Sequence, residues 1–481
     1  MKYQSNCIKL ALPKGRFLSP TANLLKEIAL DFKGYSAKTR RYRLQDVILN
    51  GMKNPHLSAK VFQEKDIPTQ VAIGNYDLGI CGLDWIEELL VRYPASAVIK
   101  IASLNYGGGG VYVVASYQMG ISSIEELLAK QDNCHIVSEY PNLAQAFALN
   151  LRMRAFKISP VWGAAEVYPP EDASLAILWA KNENEIETQG LIPIMKLLPI
   201  TAFLIANRES MENKDLNQIL NCFSPKLVAM QRVNPTIIAS RGRSNSITFH
   251  PLEEAKRVKL ALPDGHQQPP TAQFLKRAGL KLEGYTNEML NRRPSTDLAW
   301  LGIKVIRPQD MPLQVANGNF DLAITGKDWL SEHLYRFPSS PAMELLNLGF
   351  GKVKIVAAVN KDMPVSNIND LSSFTQGGKL APLRVASEYT NIADKYLRDN
   401  YINPYKLIPT WGASEAFLPE DADLLIDNVQ TGKTMAQHNL KVIDVLFEST
   451  ACLIGNKDSL TSPDKKEKID FLIQTLRRRP S

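Results

Sequence analysis

Ile8-Lys9-Leu10-Ala11-Leu12-Pro13 recurs further along the chain as Val258-Lys259-Leu260-Ala261-Leu262-Pro263. Working outward from this pair, Lys65-Asp66-Ile67-Pro68-Thr69-Gln70-Val71 returns as Gln309-Asp310-Met311-Pro312-Leu313-Gln314-Val315. Gly74-Asn75-Tyr76-Asp77-Leu78 and Asp84-Trp85 return as Gly318-Asn319-Phe320-Asp321-Leu322 and Asp328-Trp329. Ser138-Glu139-Tyr140, Trp162-Gly163-Ala164 and Pro170-Glu171-Asp172-Ala173 return as Ser387-Glu388-Tyr389, Trp411-Gly412-Ala413 and Pro419-Glu420-Asp421-Ala422. The order never changes and the offset hardly does. A single large unit is therefore used twice, which excludes a solenoid of short repeats. The repeat divides the chain into a first copy over 1–232, a polar connector over 233–256 rich in serine and carrying Arg241-Gly242-Arg243, and a second copy over 257–481. Each copy is expected to close on a helix, one near Leu216, Ile219, Leu220 and Phe223, the other with Ile469, Phe471, Leu472 and Leu476 on its apolar face.

Within a copy, short apolar runs alternate with helical spacing. Ile8 to Leu12 precedes a helix from Pro20 to Ala29, Leu78 to Cys81 precedes Trp85 to Val91, and Val111 to Ala115 precedes Ile124 to Leu128. This alternation predicts an α/β fold of parallel sheets covered by helices, whose ligands bind at the carboxyl ends of strands. The turns at Pro13-Lys14-Gly15-Arg16 and Thr431-Gly432-Lys433-Thr434 fall at such ends.

The bulk properties narrow the function. The chain has 481 residues, is 45% hydrophobic and carries a net charge of +7. Ordinary globular composition with a mild, scattered basic excess suits polyanionic small molecules and argues against nucleic acid as a partner. The five cysteines have no Cys-x-x-Cys spacing, so neither a disulfide framework nor a zinc site is expected, and the six histidines have no metal-ligand spacing. No apolar run reaches the ~20 residues of a membrane span, and none has the length of a signal-peptide core. A soluble, cytoplasmic protein is expected.

The strongest chemical signal is Pro419-Glu420-Asp421-Ala422-Asp423-Leu424-Leu425-Ile426-Asp427-Asn428-Val429-Gln430-Thr431-Gly432-Lys433-Thr434. Acids lead into a short buried strand, then into a small-residue turn and a helix start at Met435. Backbone N–H groups and two hydroxyls at such a turn suit a phosphate, while Asp423 and Asp427 suit ribose hydroxyls or a hard cation such as Mg²⁺. The plain alternative is a strand end, a glycine turn and a threonine cap. Asp84-Trp85 and Asp328-Trp329 read as helix caps with a staple, and Trp162 and Trp411 as packing residues.

These residues together resemble the short form of ATP phosphoribosyltransferase, the first enzyme of histidine biosynthesis. The resemblance rests on Ala11 to Arg16, on Arg307-Pro308-Gln309-Asp310-Met311-Pro312, on Asp321 to Asp328 with its Thr325-Gly326-Lys327, on Leu348-Gly349-Phe350-Gly351-Lys352, and on Asp423 to Thr434. It spans nearly the whole chain, twice. It implies that each copy is a two-lobed phosphoribosyltransferase unit like a type II periplasmic binding protein, without the regulatory domain of the long form. It also implies the reaction: adenine N1 of ATP attacks C1 of 5-phosphoribosyl 1-diphosphate, diphosphate leaves with Mg²⁺, and phosphoribosyl-ATP results. Asp427, Asp423, Lys14 and Arg16 are implied for catalysis, and Thr431, Gly432, Lys433 and Thr434 for phosphoribosyl diphosphate. Arg40, Arg41, Glu388, Tyr389 and Lys352 are implied for ATP. A histidyl-tRNA-synthetase-like regulatory subunit is a partner in the short-form family. Whether the duplication replaces it is left open, as is assembly beyond the internal pseudo-dimer.

The copies depart from the family in complementary places. The second has Asp264 and His266 where the first has Lys14 and Arg16. The first has Ser174 and Leu178 for Asp423 and Asp427, and Asn182-Glu183-Asn184-Glu185 for Thr431 to Thr434. The expectation is one composite set of substrate-binding residues per chain, with the ribose-phosphate loop from the second copy and Lys14 and Arg16 from the first. The competing reading is a non-catalytic nucleotide- or phosphoribosyl-binding regulatory paralogue. A solute-binding protein would share the fold but is disfavoured by the absence of a signal-peptide core.

Overall fold

The computed structural model describes residues 7–36, 42–44, 47–49, 52–53, 57–130, 133–228, 235–237, 256–286, 290–371, 382–430 and 432–477. Arg40, Arg41, Thr431 and most of the 233–256 connector lie outside these residues. The chain divides into two compact units. One comprises 1–160, 174–246 and 411–416, the other 161–173, 247–410 and 417–481. The division follows the repeat except that a short segment of each copy, 161–173 and 411–416, is counted with the other copy's unit.

In the first unit the strand Ile8–Pro13 lies between Leu57–Phe62 and Leu78–Gly82, both parallel to it. Leu10, Ala11 and Leu12 are fully buried, as a strand covered on both faces requires. Ala202–Asn207 and Val98–Ser103 complete this sheet, and Arg43–Leu44 forms its other edge. A second sheet is built from Phe156–Pro160, Cys134–Ser138, Leu175–Ala180, Gly110–Ser116, Leu191–Pro199 and Thr236–Ile237. The chain passes from the first sheet to the second after Ser103 and returns after Pro199, so the unit has two lobes. The second unit repeats the plan. Leu301–Ile306, Val258–Pro263, Leu322–Gly326, Ala451–Asn456 and Ala342–Asn347 form one sheet, and Tyr405–Pro409, Leu383–Ser387, Leu424–Val429, Val353–Asn360 and Leu440–Ser449 form the other. Each lobe of the second unit has its own core, one around Leu260, Leu262, Leu322 and Leu453, the other around Ile355, Val385, Leu424 and Ile426. At ~25 cal/mol per Å² of apolar surface, each such side chain contributes roughly 1.5–3 kcal/mol.

Three expectations need adjustment. The sheets are mixed, because the returning strands Ala202–Asn207 and Ala451–Asn456 run antiparallel to their neighbours. Phe471 is half exposed; the closing helix Lys466–Arg477 buries only Ile469, Leu472 and Leu476. Thr236–Ile237, inside the expected connector, pairs antiparallel with Met195 and Lys196, so the first unit's sheet continues past residue 232.

Paired positions also diverge energetically. Asp310 precedes the helix Met311–Ala316 and accepts the Trp162 backbone N–H with its two carboxylate oxygens, at 3.0 and 2.9 Å. Its counterpart Asp66 is 2% exposed, and its Oδ2 has no hydrogen-bond partner among the described residues. Burial pushes the Asp66 carboxyl up to about 8, against the pull of Lys65. A carboxyl raised on folding contributes stability that is complete below its unfolded pKa, about 4, and is lost as pH rises through about 8. Unfolding titrations from pH 6 to 9 should therefore show stability falling by about 1 kcal/mol per pH unit from this group, and Asp66→Asn should flatten that slope.

Candidate active site

The strand Leu424–Val429 carries the acidic stretch into the second unit. It pairs in parallel with Leu383–Ser387 and antiparallel with Val353–Asn360. Residues 424–427 are buried and Asn428 is exposed, so burial ends where the loop begins. Asp427 is 9% exposed, and its Oδ1 accepts the Asn428 backbone N–H at 2.7 Å. Gly432 then has φ +69°, the left-handed region that side chains with a Cβ avoid, and opens the five-residue helix Lys433–Gln437.

Register determines what surrounds this loop. Lys354 lies opposite Val429, so the exposed Lys352 stands at the loop end of the sheet. Leu383–Ser387 runs parallel to Leu424–Val429, so Glu388 and Tyr389 leave the sheet at that same end. Lys352, Glu388, Tyr389, Asp427 and Gly432 are thus brought together. Asp423 is not. It precedes the strand, about 13 Å from Asp427 at ~3.3 Å per residue. There it forms an ion pair with Arg384, whose Nη2 and Nε donate to its two oxygens at 2.9 and 3.2 Å. Its carboxylate thus ties the strand Leu383–Ser387 to the start of Leu424–Val429.

Tyr389 is fully buried, and its hydroxyl donates to Asp328 Oδ2 at 2.6 Å. Ser449 Oγ donates to Asp328 Oδ1 at 2.6 Å. The helix Lys327–Arg336 is preceded by Gly326 with no side-chain cap, so Asp328 ties the two lobes together and does not cap its helix. A Cβ at Gly326 would collide with Asp328 Oδ1, which is why glycine stands there. The first unit has the same tie, Tyr140 OH to Asp84 Oδ2 at 2.8 Å. Sequence reasoning assigned these aspartates to capping; their recurrence in both copies was the available signal.

The Lys-Gly-Arg turn ends the strand Ile8–Pro13 of the first unit. Lys14 Nζ donates to Tyr42 OH at 3.0 Å. Arg16 donates to Glu64 at 2.8 Å and to Asp84 at 2.6 Å, and its guanidinium lies 5.3 Å from the centre of the Trp179 ring. Burial opposes the charge on Arg16, but Asp84 and Glu64 outweigh it and hold the pKa above the ordinary value. Burial likewise raises Glu64 to about 7 in spite of Arg16. Arg16 is committed to two carboxylates inside its own unit. The strand Leu175–Ala180 places the buried Leu178 and the partly exposed Trp179 where the second copy has Asp427 and Asn428. Glu185 then accepts the Lys181 backbone N–H at 2.7 Å, and its own N–H donates to Asn182 Oδ1 at 2.9 Å. Asn182 and Glu185 thus close this turn in the manner of a capping box, with Glu185 reaching back to the residue before the cap.

The reverse substitution appears in the second unit. Asp264, at the position of Lys14, is 4% exposed and accepts from Arg292 at 2.7 Å and Arg307 at 3.3 Å. Its carboxylate serves as an internal counterion, while His266 is exposed.

Among the described residues no three acidic, histidine or cysteine side chains cluster to hold a metal ion. Asp427 provides one carboxylate at the loop end of the strand.

The model of the ATP phosphoribosyltransferase family, HisG, matches residues 63–224 and 307–478, more than half of the chain. The chain belongs to the ATP phosphoribosyltransferase family. It carries the family's short-form unit twice. It is 34% identical over 227 residues to the ATP phosphoribosyltransferase of Saccharolobus solfataricus, covering 46% of this chain and 72% of that one. It is 31% identical over 221 residues to that of Pelotomaculum thermopropionicum, covering 45% and 70%. Among solved structures, the ATP phosphoribosyl transferase (HisG:HisZ) complex from Thermotoga maritima aligns at 21% identity and a TM-score of 0.38, over 46% of this chain and 98% of that one. Among the described residues no helix is long and apolar enough to cross a membrane.

Proposed function

We propose that this member of the family joins adenine N1 of ATP to C1 of 5-phosphoribosyl 1-diphosphate, releasing diphosphate, and that its one working ribose-phosphate loop per chain is Asp427 to Thr434. The observation that carries this reading is the contrast between equivalent strand ends. The second copy offers Asp427, Asn428 and Gly432 at φ +69°; the first presents Leu178, Trp179 and a capping box closed by Glu185. Asp427 accepts hydrogen bonds from ribose hydroxyls, and the turn from Thr431 to Thr434 cradles the phosphate. Lys352, Glu388, Arg40 and Arg41 are proposed for ATP, and Lys14 for the polyphosphate charge; Tyr389, grouped with the ATP residues from sequence, is fully buried with its hydroxyl on Asp328 and is not proposed as an ATP contact. Arg16 takes part only by exchanging one of its carboxylates for a phosphate. Asp427 would offer one carboxylate to a Mg²⁺ ion carried on the diphosphate, which would supply charge neutralisation to the leaving group. Held side by side, the two substrates react as one complex, and fixed cations offset the repulsion of their phosphates. A histidyl-tRNA-synthetase-like subunit belongs to this proposal as a regulatory partner, and the cytoplasm as its location.

Calorimetric titration with phosphoribosyl diphosphate and Mg²⁺ tests the count. One site per chain is expected, and Gly432→Val, which forces a β-branched residue into a left-handed turn, should weaken it at least tenfold, about 1.4 kcal/mol. Two sites per chain, or one that survives Gly432→Val and disappears when Lys181 to Glu185 are replaced, would contradict the proposal.

A further inference from the structure

In the second unit a chain of contacts runs from the segment 161–173 to the ribose-phosphate loop. Trp162 meets Trp329 edge to face, with ring centres 5.8 Å apart. Trp329 stacks on Tyr389 at 4.3 Å and an interplanar angle of 28°. The Tyr389 hydroxyl, held by Asp328 at 2.6 Å, accepts a hydrogen bond from Asn428 Nδ2 at 3.0 Å. Asn428 in turn donates its backbone N–H to Asp427 at 2.7 Å. Every member except Asn428 is wholly or partly buried, so the ring stack has little freedom to slide.

The first unit lacks the last link. Trp85 and Tyr140 pack with ring centres 4.6 Å apart, and Tyr140 bonds to Asp84, but Trp179 stands in place of Asn428 and offers its indole N–H to Gly108 O at 3.4 Å. The tie between lobes is kept in both units, and the connection onward to the strand end exists only where the loop has its ribose-binding acid. A purely architectural tie needs Tyr and Asp alone.

We infer that Asn428, Tyr389 and Trp162 are positioning residues: Trp162 and Trp329 hold the Tyr389 ring, Tyr389 holds the Asn428 amide, and Asn428 orients the Asp427 carboxylate toward the ribose. The inference rests on the proposed use of Asp427. None of the three needs to touch ATP.

The test uses the full chain. Asn428 is exposed, so Asn428→Ala leaves the core intact, and Tyr389→Phe keeps the stack while removing the hydroxyl. Both are expected to raise KM for phosphoribosyl diphosphate about tenfold and to lower kcat, with KM for ATP unchanged. The double variant should lose no more than the stronger single one, because the two act in series. Trp162→Leu should shift the same parameters, and Trp162→Phe should restore them. A second readout is independent of activity. Amide hydrogen exchange in the peptide 424–437, without substrate, should speed up in Asn428→Ala, Tyr389→Phe and Trp162→Leu relative to the unsubstituted chain. Unchanged exchange in all three overturns the relay. Equal rises in KM for both substrates, or additive losses in the double variant, do so as well. If the unsubstituted chain makes no product while the exchange pattern appears as described, the proposed reaction fails and the relay stands.

Discussion

Asp427→Asn is expected to lower kcat/KM for phosphoribosyl transfer by about 10²–10³, the usual loss when one group aimed at a reacting centre is removed. The reason is directional. One carboxylate oxygen accepts the Asn428 N–H, which fixes the plane of the group at the loop end of the strand. In the amide, the Asn428 N–H keeps the oxygen and turns the NH₂ outward, replacing an acceptor by a donor. The side chain keeps its size at a position 9% exposed, so stability should change by less than ~1 kcal/mol. Steady-state kinetics beside a thermal melt checks both halves. A variant that is inactive because it has unfolded would not count for the assignment.

The largest effect on stability is expected from Lys304→Met. Lys304 is buried in the second unit and bonds to both Asp172 and Glu171. Asp172 has a wholly buried side chain, and its other cation is Lys259 at 2.9 Å. Among the described residues, removing Lys304 leaves the buried Asp172 only Lys259 and leaves Glu171 only Arg293, so the loss is expected to approach the roughly 3–5 kcal/mol of a broken buried pair without exceeding it. Replacing both charges with apolar groups is milder, so Lys304→Met combined with Asp172→Leu should recover part of the loss, Lys259 then losing its carboxylate partner. Urea unfolding of the two variants measures the difference. The pH dependence has a definite sign. Burial opposes ionisation of Glu171, but Lys304 and Arg293 hold its carboxyl down to about 2. Its contribution is present above the ordinary carboxylate range and is lost as pH falls from about 4.5 through about 2. Lys304→Met should weaken that acid dependence.

The repeat itself was legible because apolar strand sequences such as Ile8 to Pro13 and Val258 to Pro263 are read directly as residue types. So was the end of the sheet that carries the loop, since Gly432 and the run from Leu424 to Asp427 define a strand with a turn after it. What was not legible depends on register and on side-chain direction. Asp423 and Asp427 are four residues apart in sequence, yet Asp423 stands before the strand and pairs with Arg384, while Asp427 lies within it toward the loop. Asp328 looked like a helix cap because its position after Gly326 is a helix start, but its carboxylate points to Tyr389 and Ser449. Arg16 looked available because sequence does not show Glu64 and Asp84 converging on it. The exchange of 161–173 and 411–416 between units had no local signature, since nothing in Trp-Gly-Ala says which core the tryptophan will join.

The most direct test of the central claim is formation of phosphoribosyl-ATP by the purified full chain with ATP, phosphoribosyl diphosphate and Mg²⁺, with and without a histidyl-tRNA-synthetase-like subunit. The account predicts product in at least one of these conditions, lost in Asp427→Asn and kept when Lys181 to Glu185 of the first copy are replaced by alanine. Absence of product with the subunit supplied, or product that Asp427→Asn leaves undiminished, would contradict it.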